Sequence, residues 1–168
     1  MGAICGIWHS TGKRVGFAAL RALGSAIPGG EPMSEAYLSG GTGLWQNGAC
    51  LLSRACDGKN VSVVLAGTEQ DEVTPRAEDV LAAYLTHGLG FFVHLFGPYA
   101  LAIVDERTGR AVLSRDGAGR VPMLYSFAGG RLCFLSSLGN RFSVGLSELP
   151  IGGCHVFSSD GYERLRRV

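Results

Sequence analysis

Gly97-Pro98-Tyr99-Ala100-Leu101-Ala102-Ile103-Val104-Asp105 is the stretch that decides how this chain folds. It is a short apolar run closed by an acid, and three similar runs follow: Ala111 to Arg115, Met123 to Phe127 and Arg131 to Ser136. Gly- or Asp-containing turns separate them, which predicts four consecutive antiparallel strands. Downstream, Cys154 to Ser158 and Tyr162 to Leu165 flank Ser159-Asp160-Gly161 and predict a closing hairpin. Upstream, Val80, Leu81, Tyr84 and Leu85, then Phe91, Phe92 and Leu95, recur at helical spacing broken by Gly88 and Gly90, and predict two short helices. Glu78 and Asp79 suit the first helix's N-terminus.

Nearer the N-terminus, Val61 to Ala66 is a β-branched run that pairs with Ala49 to Ser53 in this reading. Ala3 to Trp8 reads as a buried strand, and Phe17 to Ile27 as a helix stopped by Pro28-Gly29-Gly30. Ser34 to Trp45 favours neither state. Strands, helices, then strands again give an α+β chain. Its 168 residues suit a single domain, 1–168.

Composition narrows the function classes. Hydrophobic residues make up 46% and charged residues 17%, enough for one apolar core and little for a disordered region. Fifteen basic against 14 acidic residues argue against a nucleic-acid platform. The run Arg164, Arg166, Arg167 reads as a solvated chain end. Five cysteines without a C-x-x-C pair point to a reducing cytoplasm. No apolar run reaches the roughly 18 to 20 residues of a membrane span. The four histidines lack zinc-ligand spacing, so neither a metal nor a cofactor is expected. The apolar composition leaves room for a homo-oligomeric interface.

Taken together, the quoted segments resemble the glutaminase domain of the asparagine-synthetase family. Gly97 to Asp105 is similar to its G-x-F-A-F-A-x-x-D strand. Arg115 to Tyr125 is similar to its R-D-x-x-G-x-x-P-L-Y turn and strand, with Met123 inserted. Gly130 to Ser137 is similar to G-x-L-x-F-A-S-E, with Ser137 in place of the acid, and Cys5-Gly6-Ile7 to the opening C-G-I. The resemblance spans about residues 3 to 165 and implies a class II glutamine amidotransferase of Ntn-hydrolase type: a four-layer αββα sandwich of two stacked antiparallel sheets covered by helices. It also implies an ATP-dependent synthetase domain or subunit as partner, since these 168 residues hold no Ser-Gly-Gly-x-Asp pyrophosphate loop. Glutamine is the implied ligand.

The family's nucleophile is an N-terminal cysteine whose own α-amine moves the protons. Cys5 is the candidate, at the rim of a cleft between the sheets, but its nitrogen is in a peptide bond to Ile4, so activity would require loss of Met1 to Ile4. Read instead as a structural residue, Cys5 is a small apolar side chain in a strand. The family's oxyanion segment N-G-E aligns with Ala66-Gly67-Thr68: Gly67 remains, while the Asn donor and the Glu are gone. Losing one such donor costs about 3 kcal/mol of barrier. Asn47-Gly48 reads as a turn before the preceding strand.

Arg54 falls where the family's R-L-S arginine would hold the substrate carboxylate, facing Cys5 and the Ala66-Gly67 bend. The acid that would hold the ammonium aligns with Ala77, beside the cation Arg76. Asp105 and Asp116 read as turn residues rather than as a catalytic pair. The expected function is thus a non-hydrolytic or weakly active scaffold or binding domain, like the degenerate N-terminal domains of β-lactam synthetases and lasso-peptide cyclases. The alternative is an active glutaminase subunit, trimmed to Cys5, that releases ammonia. A binding module unrelated to amide chemistry is the third reading.

Overall fold

The computed structural model describes residues 3–27, 35–47, 53–57, 61–67, 74–136 and 145–165. In chain order the elements are β1 (Ala3–His9), α1 (Phe17–Gly24), β2 (Glu35–Ser39), β3 (Thr42–Asn47), β4 (Ser53–Asp57), β5 (Val61–Ala66) and α2 (Ala77–His87). A 3₁₀ helix over Gly88–His94 follows, then β6 (Ala100–Asp105), β7 (Arg110–Arg115), β8 (Leu124–Ala128), β9 (Arg131–Leu135), β10 (Ser147–Glu148), β11 (Cys154–Ser158) and β12 (Gly161–Leu165). They form two six-stranded antiparallel sheets, ordered β10-β8-β9-β1-β3-β2 and β12-β11-β7-β6-β5-β4. This is the expected α+β sandwich. Among the described residues no helix is long and apolar enough to cross a membrane.

Strand periodicity builds the layers. In β6, Ala100, Ala102 and Val104 enter the cluster between the sheets, while Leu101 and Ile103 pack under α2 and the 3₁₀ helix with Val80, Tyr84, Phe91 and Phe92. Because both faces are covered, the strand is apolar throughout instead of alternating. Strand β1 divides in the same way: Ile4 and Trp8 face the other sheet, while Ala3, Cys5 and Ile7 join Leu20 of α1. Gly6 lies on the inter-sheet side, where a Cβ would strike the ring of Phe134, its partner across the β1–β9 ladder. The helix predicted to reach Ile27 stops at Gly24, which rests against the Trp45 indole, where a Cβ would lie 3.3 Å from the ring.

Three expectations are revised. The four strands after Pro98 are two hairpins in different sheets, β6–β7 and β8–β9, rather than one run. The chain changes sheet at Arg115-Asp116. Arg115, nearly buried, donates from Nη1 to Glu148 Oε1 (2.7 Å) and the Leu149 carbonyl (3.0 Å), and from Nη2 to the Gly119 carbonyl (2.8 Å), so it straps one sheet to the other. Asp116 Oδ2 accepts from the Ala118 amide (2.9 Å) and shapes the turn. The segment that favoured neither state holds the β2–β3 hairpin. The strand expected at Ala49 to Ser53 lies later, at Ser53–Asp57, paired with β5; residues 49–52 lie outside the described residues. Asp105 closes β6 by accepting from Tyr84 Oη (3.1 Å) and from the Arg107 amide and guanidinium. Burial opposes its ionisation, but the Arg107 and Tyr84 hydrogen bonds hold its carboxyl below the ordinary range.

Between β8 and β11 the sheets meet through rings: Tyr125 lies 5.5 Å from His155 and 5.4 Å from Phe157, and Tyr162 stacks on His155 at 5.6 Å. His155 is 1% exposed, and its Nδ1 has no hydrogen-bond partner. Burial, with Arg164 adding to it, lowers its pKa from 6.5 to about 4.

Two outcomes are expected in thermal or urea unfolding. Arg115→Met leaves the buried Leu149 carbonyl and the part-buried Gly119 carbonyl without their donor and costs about 3 kcal/mol, whereas Glu148→Gln, whose side chain is 57% exposed, costs under about 1 kcal/mol. Equal losses would show that the strap resides in the ion pair. Because the folded-state pKa of His155 lies below its unfolded value, the unfolded chain protonates first. The contribution is therefore complete above pH 6.5 and is lost as pH falls toward 4, on the order of 3 kcal/mol in total. In His155→Phe most of that slope should disappear, leaving the smaller part from His9, whose pKa burial and Arg131 also lower, and an undiminished slope would assign it to another group.

Candidate active site

The candidate nucleophile sits in the middle of a paired strand. Cys5 lies opposite Trp45 of β3 and Leu135 of β9, and its side chain is 0% exposed in the cluster beneath α1. Burial, and next to it Cys133, pushes its thiol far above the ordinary range. A thiol that stays protonated is a poor nucleophile. The sulfur thus faces α1 rather than the rim of an inter-sheet cleft, which corrects the expected geometry. Alternation along β1 is the reason: Ile4, one residue earlier, takes the inter-sheet side.

Ala66 ends β5 opposite Ala100 and lies in that same inter-sheet cluster with its methyl fully buried. A Cβ on Gly67 would collide with the Thr74 methyl, so the glycine is required by packing. Thr68 lies outside the described residues. Arg54 is the second residue of β4, in register with Val64; its side chain is not among those described. Arg76 precedes α2 with its side chain 76% exposed, 3.6 Å from Glu78. Ala77, the first residue of α2, is buried in the cluster between that helix and the sheet, away from the inter-sheet side. The structure therefore brings Ile4 and Ala66 into one cluster but puts Cys5 and Ala77 on opposite outer faces.

Asn47, read as a turn residue, is the last residue of β3 and pairs with Ala3. Ile4 and Ser136 complete this end of β1. Ile4 is fully buried, and the Ser136 side chain accepts from its amide at 2.9 Å. Counting every second residue back from Trp8 reaches Ile4, so that signal was present in the sequence. Among the described residues no group of three or more His, Cys, Asp or Glu could hold a metal ion, and the exposed rings of His87 and His94 lie 4.4 Å apart.

The family described as "Glutamine amidotransferase domain" matches residues 5–144, beginning at Cys5. Among solved structures, the glutamine phosphoribosylpyrophosphate amidotransferase from B. subtilis complexed with ADP and GMP superposes with a TM-score of 0.58 at 14% identity, over 98% of this chain and 49% of that one. A structure described as the allosteric regulatory enzyme of purine biosynthesis gives 0.59 at 13% identity, over 98% and 48%. At these identities the likeness shows the Ntn-hydrolase amidotransferase fold, and the chain spans about half the length of these structures. None of the curated proteins compared matches it.

With the chain intact, Cys5 should resist iodoacetamide at pH 8, reacting at least about tenfold more slowly than in urea at the same pH. Peptide mapping reads this directly, and rapid labelling of Cys5 in the folded chain would contradict its burial.

Proposed function

Because this chain belongs to the glutamine amidotransferase domain family, we propose that it is a non-hydrolytic or weakly active member that serves as scaffold or binding domain for an ATP-dependent amide-forming synthetase domain or subunit in the cytoplasm. The observation that carries the reading is the setting of Cys5: its nitrogen is a strand peptide, its sulfur is buried beneath α1, and its thiol is held protonated. Hydrolysis of glutamine requires a thiolate and a base, and a positioned base is worth about 10²- to 10⁴-fold in rate. The methyl of Ala66 supplies no oxyanion donor, and that loss is worth a further 10²-fold or so. Ala77, at the position aligned with the ammonium-holding acid, is apolar and buried at the start of α2 against the sheet. Independent losses multiply, so a single reversion leaves the rate near background.

The second reading, an active glutaminase trimmed to Cys5, draws support from Cys5-Gly6-Ile7 and from a family match that begins at Cys5. Packing against Phe134 accounts for Gly6 without chemistry, which weakens that support. A homo-oligomeric contact is compatible with either reading.

Protein purified from its own host should have a mass that includes the residues before Cys5, take up no diazoketone glutamine analogue, and co-purify with a synthetase. Ala66→Asn alone should leave ammonia release at background. A mass beginning at Cys5 with one analogue bound per chain would establish the glutaminase reading instead.

A further inference from the structure

The residue that the first strand presents to the inter-sheet core at this end is an isoleucine. Ile4 is 0% exposed, in one cluster with Val64, Ala66, Ala100 and Phe134, while its neighbours Ala3 and Cys5 point the other way. Its backbone is tied on both sides of the peptide: the Ile4 amide donates to Ser136 Oγ at 2.9 Å, and the Ile4 carbonyl accepts from the Ser136 amide at 2.9 Å. Ser136 is itself buried, so this pair of hydrogen bonds to one residue is shielded from water. The ladder with β3 runs through the same positions, Ala3 opposite Asn47 and Ile4 opposite Gln46.

From this we infer that Ala3-Ile4 is a permanent part of the first strand, and that the Ile4 side chain, pinned by Ser136, is a built-in plug of the inter-sheet space beside Ala66. The inference rests on the amidotransferase reading for its meaning, because that space is where the family's oxyanion segment would act. It deepens the reading by naming what fills the site.

Two physical consequences follow. The Ile4–Cys5 peptide bond joins the second and third residues of β1, both paired with β3, so cleavage there requires this end of the strand to open. Loss of the segment would remove a fully buried isoleucine and both Ser136 bonds at once. A free amine at Cys5 would also leave the sulfur on the α1 side, since strand alternation fixes the face of each side chain. Trimming thus subtracts core without presenting the nucleophile.

The test compares the full chain with one beginning at Cys5, released by tag cleavage, in thermal unfolding and in ammonia release from glutamine. The shortened chain should melt about 10 °C lower, and ammonia should stay at background. A melting temperature within about 2 °C of the full chain would overturn the inference and make the segment a dispensable leader. Ammonia release together with the lowered melting temperature would sink the non-hydrolytic reading and show that trimming re-aims Cys5, while leaving Ile4 as the plug of the full chain. If the shortened chain does not fold, Ile4→Ala in the full chain supplies the readout: a fall of about 6 to 12 °C, against about 3 °C for Ile4→Val. Ile4→Ala within about 2 °C of the parent would overturn the inference equally.

Discussion

Two sheets that stack face to face leave each inner strand a single degree of freedom that matters, namely which of its alternating side chains point inward. In this chain that choice is made by the apolar layer between the sheets. Small residues on β6, Ala100 and Ala102, lie opposite larger ones on β1, β8 and β9: Ile4, Trp8, Tyr125 and Phe134. The layer closes because glycine stands at position 6, where the Phe134 ring takes the volume a side chain would need. Shifting β1 by one residue would move Cys5 inward and drive Ile4 and Trp8 beneath α1. The packing that holds the sandwich together is therefore the same packing that turns the thiol away from it.

What the sequence made legible divides along physical lines. Buried strands such as Val61 to Ala66 and Ala100 to Asp105 were readable because an apolar run bounded by turn residues is a local pattern. The Asp116 turn was readable for the same reason, as a carboxylate bonded to an amide two residues on. The sheet to which each hairpin belongs was not, because Arg115 settles it through contacts with Glu148 and Leu149, more than thirty positions away. The placement of Ala77 was likewise hidden: an aligned position says nothing of the face of a helix it will occupy. Ile4 is legible by counting in twos along β1, because Trp8 and Ile4 share the inter-sheet face while Cys5 takes the other.

Motifs of an enzyme family carry two kinds of information, and this chain separates them. Gly6 and Gly67 are required by Phe134 and Thr74, and the Arg115-Asp116 pair by the passage from one sheet to the other. Each is explained by packing or hydrogen bonding, with no reference to a reaction. At the positions to which the sequence resemblance assigns charge handling stand an alanine at 66, a buried alanine at 77 and a cysteine whose nitrogen is in a peptide bond to Ile4. Resemblance in the first group is evidence about the fold, and it remains so whatever the second group does.

Oxyanion donors, charged ligands and a free amine are polar groups in or beside an apolar layer, and each costs free energy unless partnered. Replacing an amide by the Ala66 methyl, or filling the end of the layer with Ile4, removes such costs and adds buried apolar area. An amidotransferase fold that no longer handles ammonia would therefore drift toward a drier, better packed interior at the place where its chemistry had been. The arrangement of Ile4, Ala66 and Phe134 around the start of β1 has that character: all three are fully buried in the layer between the sheets.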